Sequence, residues 1–286
     1  MNRLLSVYTW MLMGFCAFFS TASLAQIQVM VSIPPQVYVV EQLGGDLVEV
    51  TSMLPPGGLP HTYEPMPQQM RRLSRSDLYV RIHVEFEDAW WEKIASANPG
   101  MFVVDSVEGI ERLEDAEHDS GHAQHGKDPH VWLAPPLVKQ QAAAICEGLI
   151  QVDPEHADRY RTRKTLFLQQ VDELDSEIRE TLSRLSSRTF LVFHPSWSYF
   201  AQTYDLEQRS IEIEGKEPGP AELMQVIKTA QQHDIRVIFV QPQTSRRSAE
   251  TIARQIGADV AVLDPLAQNW AQNLRIVAQT LKKALQ

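Results

Sequence analysis

Three histidines and one aspartate carry the chemistry most open to a test in this chain. His61, His130, His194 and Asp264 are far apart in sequence, yet each lies beside a proline, at the end of a strand-like run or on a turn beyond one. Imidazole nitrogen and carboxylate oxygen are the donors that zinc takes in four-coordinate geometry. Taken singly, each residue has an ordinary reading: a surface or core histidine, or an aspartate that starts a turn. Together they place two candidate ligands in each half of the chain. That arrangement predicts one metal site in a crevice between two halves, where ligand pockets usually form.

The elements that must position these side chains alternate between strand-like and helix-like patterns, the signature of α/β architecture. Strand runs are IQVMVSI (27–33), LVEVTSM (47–53), LYVRIHV (78–84) and MFVVDSV (101–107) in the first half. The second half offers TFLVFH (189–194), QRSIEI (208–213), VIFVQP (237–242) and VAVLDP (260–265). Runs this rich in apolar and β-branched residues read as strands of a parallel sheet covered on both faces. Helices are expected over 36–43, 67–76, 86–97, 196–204, 221–233, 246–256 and 269–285. From about 154 to 185 runs a long polar segment with a narrow stripe of Phe167, Val171, Leu174, Ile178, Leu182 and Leu185 at helical spacing. A coiled-coil partner is the competing reading, but the stripe lacks regular heptads. An intramolecular strut that restricts the two halves is the expectation.

The first 25 residues read as a signal peptide: Arg3, an apolar run over about 7–19, and Ser23-Leu24-Ala25 as the cleavage site after Ala25. Phe15 before Cys16 argues against lipid attachment. Cys146 is then the only cysteine left, which excludes an intramolecular disulfide. A remaining chain of about 260 residues favours two domains. The expected division is 26–153, a connecting helix over 154–186, and 187–286. No later run is long and apolar enough to insert in a membrane. The net charge of −10 disfavours nucleic acid and anionic lipid.

Local context sharpens each candidate. His61 stands in LPPGGLPHTYEPMP, a Pro- and Gly-rich turn, with Glu64 as a candidate to orient its ring. His130 follows the Asp128-Pro129 turn, with Trp132 and Leu133 as anchors into the core. His194 ends a buried run, and Ser196 is a candidate N-cap for the helix after it. Asp264 closes the last strand. His83 reads as structural. A low-complexity stretch over 117–130 carries His118, His122 and His125, and reads either as a solvated loop or as a loose metal-capture tract.

PHTYEP, DPHVWL, FHPSWSYF and LDPL, in this order and spacing, resemble the periplasmic zinc-binding proteins of high-affinity zinc ABC importers, in the metal-binding cluster of solute-binding proteins. The resemblance spans the whole chain beyond the leader, including the 212–223 segment. It implies two parallel-sheet β/α domains joined by one long rigid helix, with the metal in the interdomain cleft. It also implies that His61, His130, His194 and Asp264 bind the metal, with water replacing or competing with the carboxylate in some zinc members. His194 is the discriminating position, because manganese-binding relatives carry glutamate there and a third imidazole shifts preference toward zinc. Departures from the family pattern are a short histidine loop (117–126), Gln241 in place of a common glutamate, and no disulfide.

The expected function is capture of Zn2+ in the periplasm by a monomeric, non-enzymatic binding protein, with delivery to an ABC permease and its cytoplasmic ATPase. A Mn2+ or Fe2+ carrier is the nearest alternative. A secreted zinc hydrolase is the rival from another class; it would need an open coordination position and a general base, and no H-E-x-x-H helix is present.

Overall fold

The computed structural model describes residues 26–114, 127–212, 219–243 and 246–286. The signal segment, the 117–126 histidine stretch and residues 213–218 of the 212–223 segment lie outside the described residues. Among the described residues eight strands form, all in the places expected, each a few residues shorter than its apolar run. They are β1 (Ile27–Val31), β2 (Val48–Ser52), β3 (Leu78–Arg81), β4 (Phe102–Asp105), β5 (Thr189–Val192), β6 (Glu207–Ser210), β7 (Val237–Val240) and β8 (Asp259–Val262). They pair into two four-stranded parallel sheets, ordered β2-β1-β3-β4 and β6-β5-β7-β8. The inner strands β1, β3, β5 and β7 are almost wholly buried, whereas the outer strands mix buried and exposed positions. Helices on both faces account for that difference, since only an inner strand is covered on every side.

The helices are α1 (Pro34–Gly44), α2 (Pro67–Leu73), α3 (Glu85–Ala97), α4 (Pro135–Val152), α5 (Ala157–Thr181), α6 (Ser198–Thr203), α7 (Pro220–Gln232), α8 (Arg246–Ile256) and α9 (Trp270–Leu285). Helix α4 was not among the expected elements. The Pro135-Pro136 pair, suited to a first helical turn, starts it, and Val138, Ala142, Ile145, Cys146 and Leu149 form its buried stripe. Cys146 is a free, buried thiol.

Helix α5 is the expected strut. Its 25 residues span roughly 37 Å at 1.5 Å per residue, and it packs on α1, α4 and α9. Phe167, Val171, Leu174, Ile178 and Leu182 are buried as the stripe predicted, while Leu185 is only partly covered. Polar ties fasten both ends: Asp46 accepts from Arg159 and Arg163, and Glu177 accepts from Arg275 on α9. The apolar core runs without a break from the first sheet through α5 and α9 to Phe190, Val192 and Phe239 of the second. A packed interior of this kind deforms little, which argues against a wide hinge between the sheets.

Candidate metal centre

Every candidate ligand lies beyond the C-terminal end of a strand, the edge where parallel α/β sheets form ligand sites. His61 sits in a short 3-10 turn, Pro60–Thr62, on the loop after β2. Tyr63 Oη and Gln69 Nε2 both donate to the carbonyl of Met53, which pulls the loop back onto its strand. Tyr63 also stacks edge-on against Phe86 in the first turn of α3. His194 follows β5, is 8% exposed, and lies opposite His61.

The two imidazoles face each other with Nε2 atoms 3.2 Å apart. Their other nitrogens are turned to carboxylates. His61 Nδ1 lies 3.1 Å from Glu85 Oε1, and His194 Nδ1 donates to Glu212 Oε2 at 2.9 Å. His130 repeats the arrangement locally, with Nδ1 donating to Asp128 Oδ1 at 2.8 Å. A carboxylate on Nδ1 fixes the tautomer that leaves Nε2 with a lone pair, and it raises the donor strength of the ring. Two lone pairs at 3.2 Å repel unless a proton or a cation lies between them. Two donors at 2.0–2.1 Å from one zinc, at a tetrahedral angle, stand roughly 3.3 Å apart. The observed separation therefore matches one edge of a tetrahedral zinc site.

His130 joins the pair at one remove: its ring centroid is 5.8 Å from that of His194 and 5.1 Å from that of Trp132. Asp264 uses Oδ1 to accept the backbone N–H of Leu266 at 2.9 Å, and its carbonyl accepts from Asn273. The loop it begins is bonded to the loop carrying His130, because Trp132 Nε1 donates to the carbonyl of Pro265. Among the described residues, no group of three or more His, Cys, Asp or Glu side chains stands in metal-holding geometry. The structure sets the Nε2 atoms of His61 and His194 3.2 Å apart and leaves the ring of His130 5.8 Å from that of His194. Asp264 stays on the neighbouring loop.

Several partners differ from those expected. Glu85, at the start of α3, and not the exposed Glu64, faces the ring of His61. Burial works against the charge of Glu85, but the neighbouring His61 outweighs it and holds the carboxyl below its ordinary value. Ser196 does not cap α6, which starts two residues later; it is fully buried and accepts from Gln241 Nε2 at 3.0 Å. His83 is held between carboxylates, with Nε2 2.8 Å from Asp105 and Nδ1 3.5 Å from Asp88. Hydrogen bonding to Asp105, then to Asp88, raises its pKa to about 9. Trp132 and Leu133 are buried anchors, as expected.

The profile of the family described as ZnuA, zinc-uptake complex component A, periplasmic, matches residues 29–284. The chain belongs to the ZnuA family. A solved structure described as the crystal structure of ZnuA superposes with a TM-score of 0.86 at 44% identity, covering 91% of this chain and 99% of that one. The high-affinity zinc uptake system protein ZnuA of Bacillus subtilis (strain 168) is 28% identical over 255 residues, 84% of this chain and 79% of its own. The manganese-binding lipoprotein MntA of Halalkalibacterium halodurans is 26% identical over 227 residues, 78% of this chain and 73% of its own. ZnuA proteins and a manganese-binding protein are therefore both among the relatives of this chain. Among the described residues no helix is long and apolar enough to cross a membrane.

Proposed function

We propose that this chain is a periplasmic solute-binding protein that captures Zn2+ between its two sheets and delivers it to an ABC permease driven by a cytoplasmic ATPase. His61, His130 and His194 bind the ion through Nε2, and Asp264 supplies the fourth donor. The observation that carries this reading is the 3.2 Å separation of two Nε2 atoms whose Nδ1 partners are carboxylates. In the scheme, residues 1–25 direct export and are removed after Ala25. The monomeric mature protein then divides into 26–153, the helical connection 154–186, and 187–286.

Membership of a family of zinc-uptake components supports a carrier over an enzyme. So does the geometry: Glu85, Asp128 and Glu212 are turned to imidazoles, where they orient ligands. The continuous core favours loading by small shifts of the His130 and Asp264 loops, with the sheets held in place. Preference for zinc over manganese follows from His194, which adds a third nitrogen where carboxylate would suit the harder ion.

Purified protein stripped of metal and titrated with Zn2+ against a competing chelator, with and without Mn2+, tests the reading. One zinc per chain, not displaced by Mn2+, is expected. Preferential retention of Mn2+ would overturn the assignment of the ion, and zinc-dependent turnover of ester, phosphate or peptide would overturn the carrier.

A further inference from the structure

The turn that delivers Glu85 to His61 is built around a second, buried glutamate. Between β3 and α3 the chain passes through Ile82, His83 and Val84, and His83 adopts φ +62, the left-handed region that a histidine occupies only at a cost. All three backbone amides point to one atom. Glu87 Oε2 accepts the N–H of Ile82 at 3.0 Å, of His83 at 2.5 Å and of Val84 at 3.3 Å. Its other oxygen accepts from Ser32 Oγ, which also bonds Tyr79 Oη and the carbonyl of Val80. Glu87 is 0% exposed. A carboxylate withdrawn from water this fully is costly unless its lone pairs are filled, and here they are filled largely by the strained turn.

Two residues before Glu87, Glu85 projects from the same first turn of α3 toward His61. Glu85 Oε2 is buried without a hydrogen-bond partner among the described residues. The direction of this carboxylate is therefore set by its backbone and by the one contact of Oε1 with His61.

We propose that Glu87 is a positioning residue of the metal centre: by gathering the amides of Ile82, His83 and Val84, it fixes the left-handed turn that presents Glu85 to His61. This rests on the reading of His61 as a ligand. A conventional helix start would need only the Val84 contact, since a glutamate at the third helical position reaches back to the residue before the helix. The two further amides serve the turn and define where α3 begins. Glu87 also ties this turn to Ser32, at the end of β1, so Glu85 is referenced to the inner strands of the first sheet.

The test is a double-mutant cycle read by Zn2+ affinity in a chelator competition, with Glu85→Ala, Glu87→Gln and the pair in the full chain. Circular dichroism and thermal melts of the metal-free variants verify folding, and Glu87→Gln keeps the side-chain shape so that the cycle can be completed. Glu85→Ala is expected to weaken zinc about 10–100-fold, as loss of a partner to a ligating imidazole does. Glu87→Gln is expected to weaken it about fivefold or more alone, but less than about twofold when Glu85 is already alanine. Substitution of Co2+ should show the same dependence in its visible spectrum. Equal losses in both backgrounds, or a lowered melting temperature with unchanged zinc affinity, would overturn the proposal. Absence of zinc binding by the unmodified protein would instead overturn the metal-carrier reading beneath it.

Discussion

Trp270 Nε1 donates to the carbonyl of Trp132 at 2.7 Å, and the indole of Trp132 in turn donates to the carbonyl of Pro265 at 2.7 Å. These buried bonds lock the loop after His130 to the loop after Asp264, across more than 130 residues of chain. Tyr199 adds a parallel tie, donating to the carbonyl of Asp128 and accepting from the amide of Leu113. Trp270→Phe removes the indole N–H and leaves the Trp132 carbonyl without its donor, and at this buried position it also leaves a cavity where the second ring stood. It should lower the unfolding free energy by about 2–5 kcal/mol, the cost of one orphaned buried polar group together with that of the cavity. Urea denaturation measures this, and a change below about 0.5 kcal/mol would show that the bond does not fasten the loops.

Gly45 offers a stability test far from the metal. It ends α1 with φ +56 and ψ −126, a conformation open essentially to glycine alone. A Cβ there would lie 1.3 Å from Arg163 Nη1, the guanidinium that binds Asp46. Gly45→Ala should cost about 1–3 kcal/mol through backbone strain and displacement of Arg163 from Asp46. A thermal melt indistinguishable from that of the unmodified protein would contradict this.

The His83 cluster predicts a pH dependence. The groups facing the ring are Asp105 and Asp88, with Arg81 bonded to Asp88 and stacked on Trp91. Folding raises the imidazole pKa from an ordinary 6.5 to about 9. Its contribution to stability is therefore complete below about pH 6.5 and is lost as the pH rises through about 9. Because Asp105 and Asp88 are 38% and 57% exposed, solvent screens both partners and the loss should be modest, about 1 kcal/mol. Denaturation midpoints between pH 6 and 10 should fall for the unmodified protein and stay flatter for His83→Gln. Parallel curves would exclude His83 as the titrating group.

The carboxylates behind the imidazoles should matter more to zinc than the histidine-rich stretch does. Glu212→Ala and Asp128→Ala are each expected to weaken zinc about 10–100-fold by freeing the orientation of His194 and His130. Deleting 117–126, between the bridged residues Glu114 and Lys127, should leave affinity within about twofold. Chelator competition compares them, and similar losses from deletion and substitution would mean the site is misplaced.

Much of this architecture was legible in the sequence because its signals are local. Buried inner strands such as TFLV and VIFV announce themselves by composition, and the stripe on α5 by its period. The ligand candidates stand out in the sequence because each lies beside a proline, His194 and Asp264 at the end of such a run and His61 and His130 on turns beyond one. Helix α4 was not, since small and polar residues (Lys139, Gln140, Gln141 and three alanines) dilute its apolar stripe, and Pro135-Pro136 reads equally as a turn. Glu85 was hidden for a different reason. Its contact with His61 depends on the left-handed turn at His83 and the docking of Tyr63 on Phe86, both set by tertiary packing. The only local hint is the pair Glu85 and Glu87 in the first turn of a helix that follows a strand. Ser196 shows the converse: its type suits a cap, but burial and Gln241 claim it first.

The central claim is that one zinc ion is held by imidazoles from both sheets. Anomalous diffraction at the zinc edge, on crystals of the zinc-loaded protein, tests it most directly. A single strong peak should lie about 2.0–2.1 Å from the Nε2 atoms of His61, His130 and His194. A principal peak elsewhere, or one bound by His61 and His130 without His194, would contradict the account.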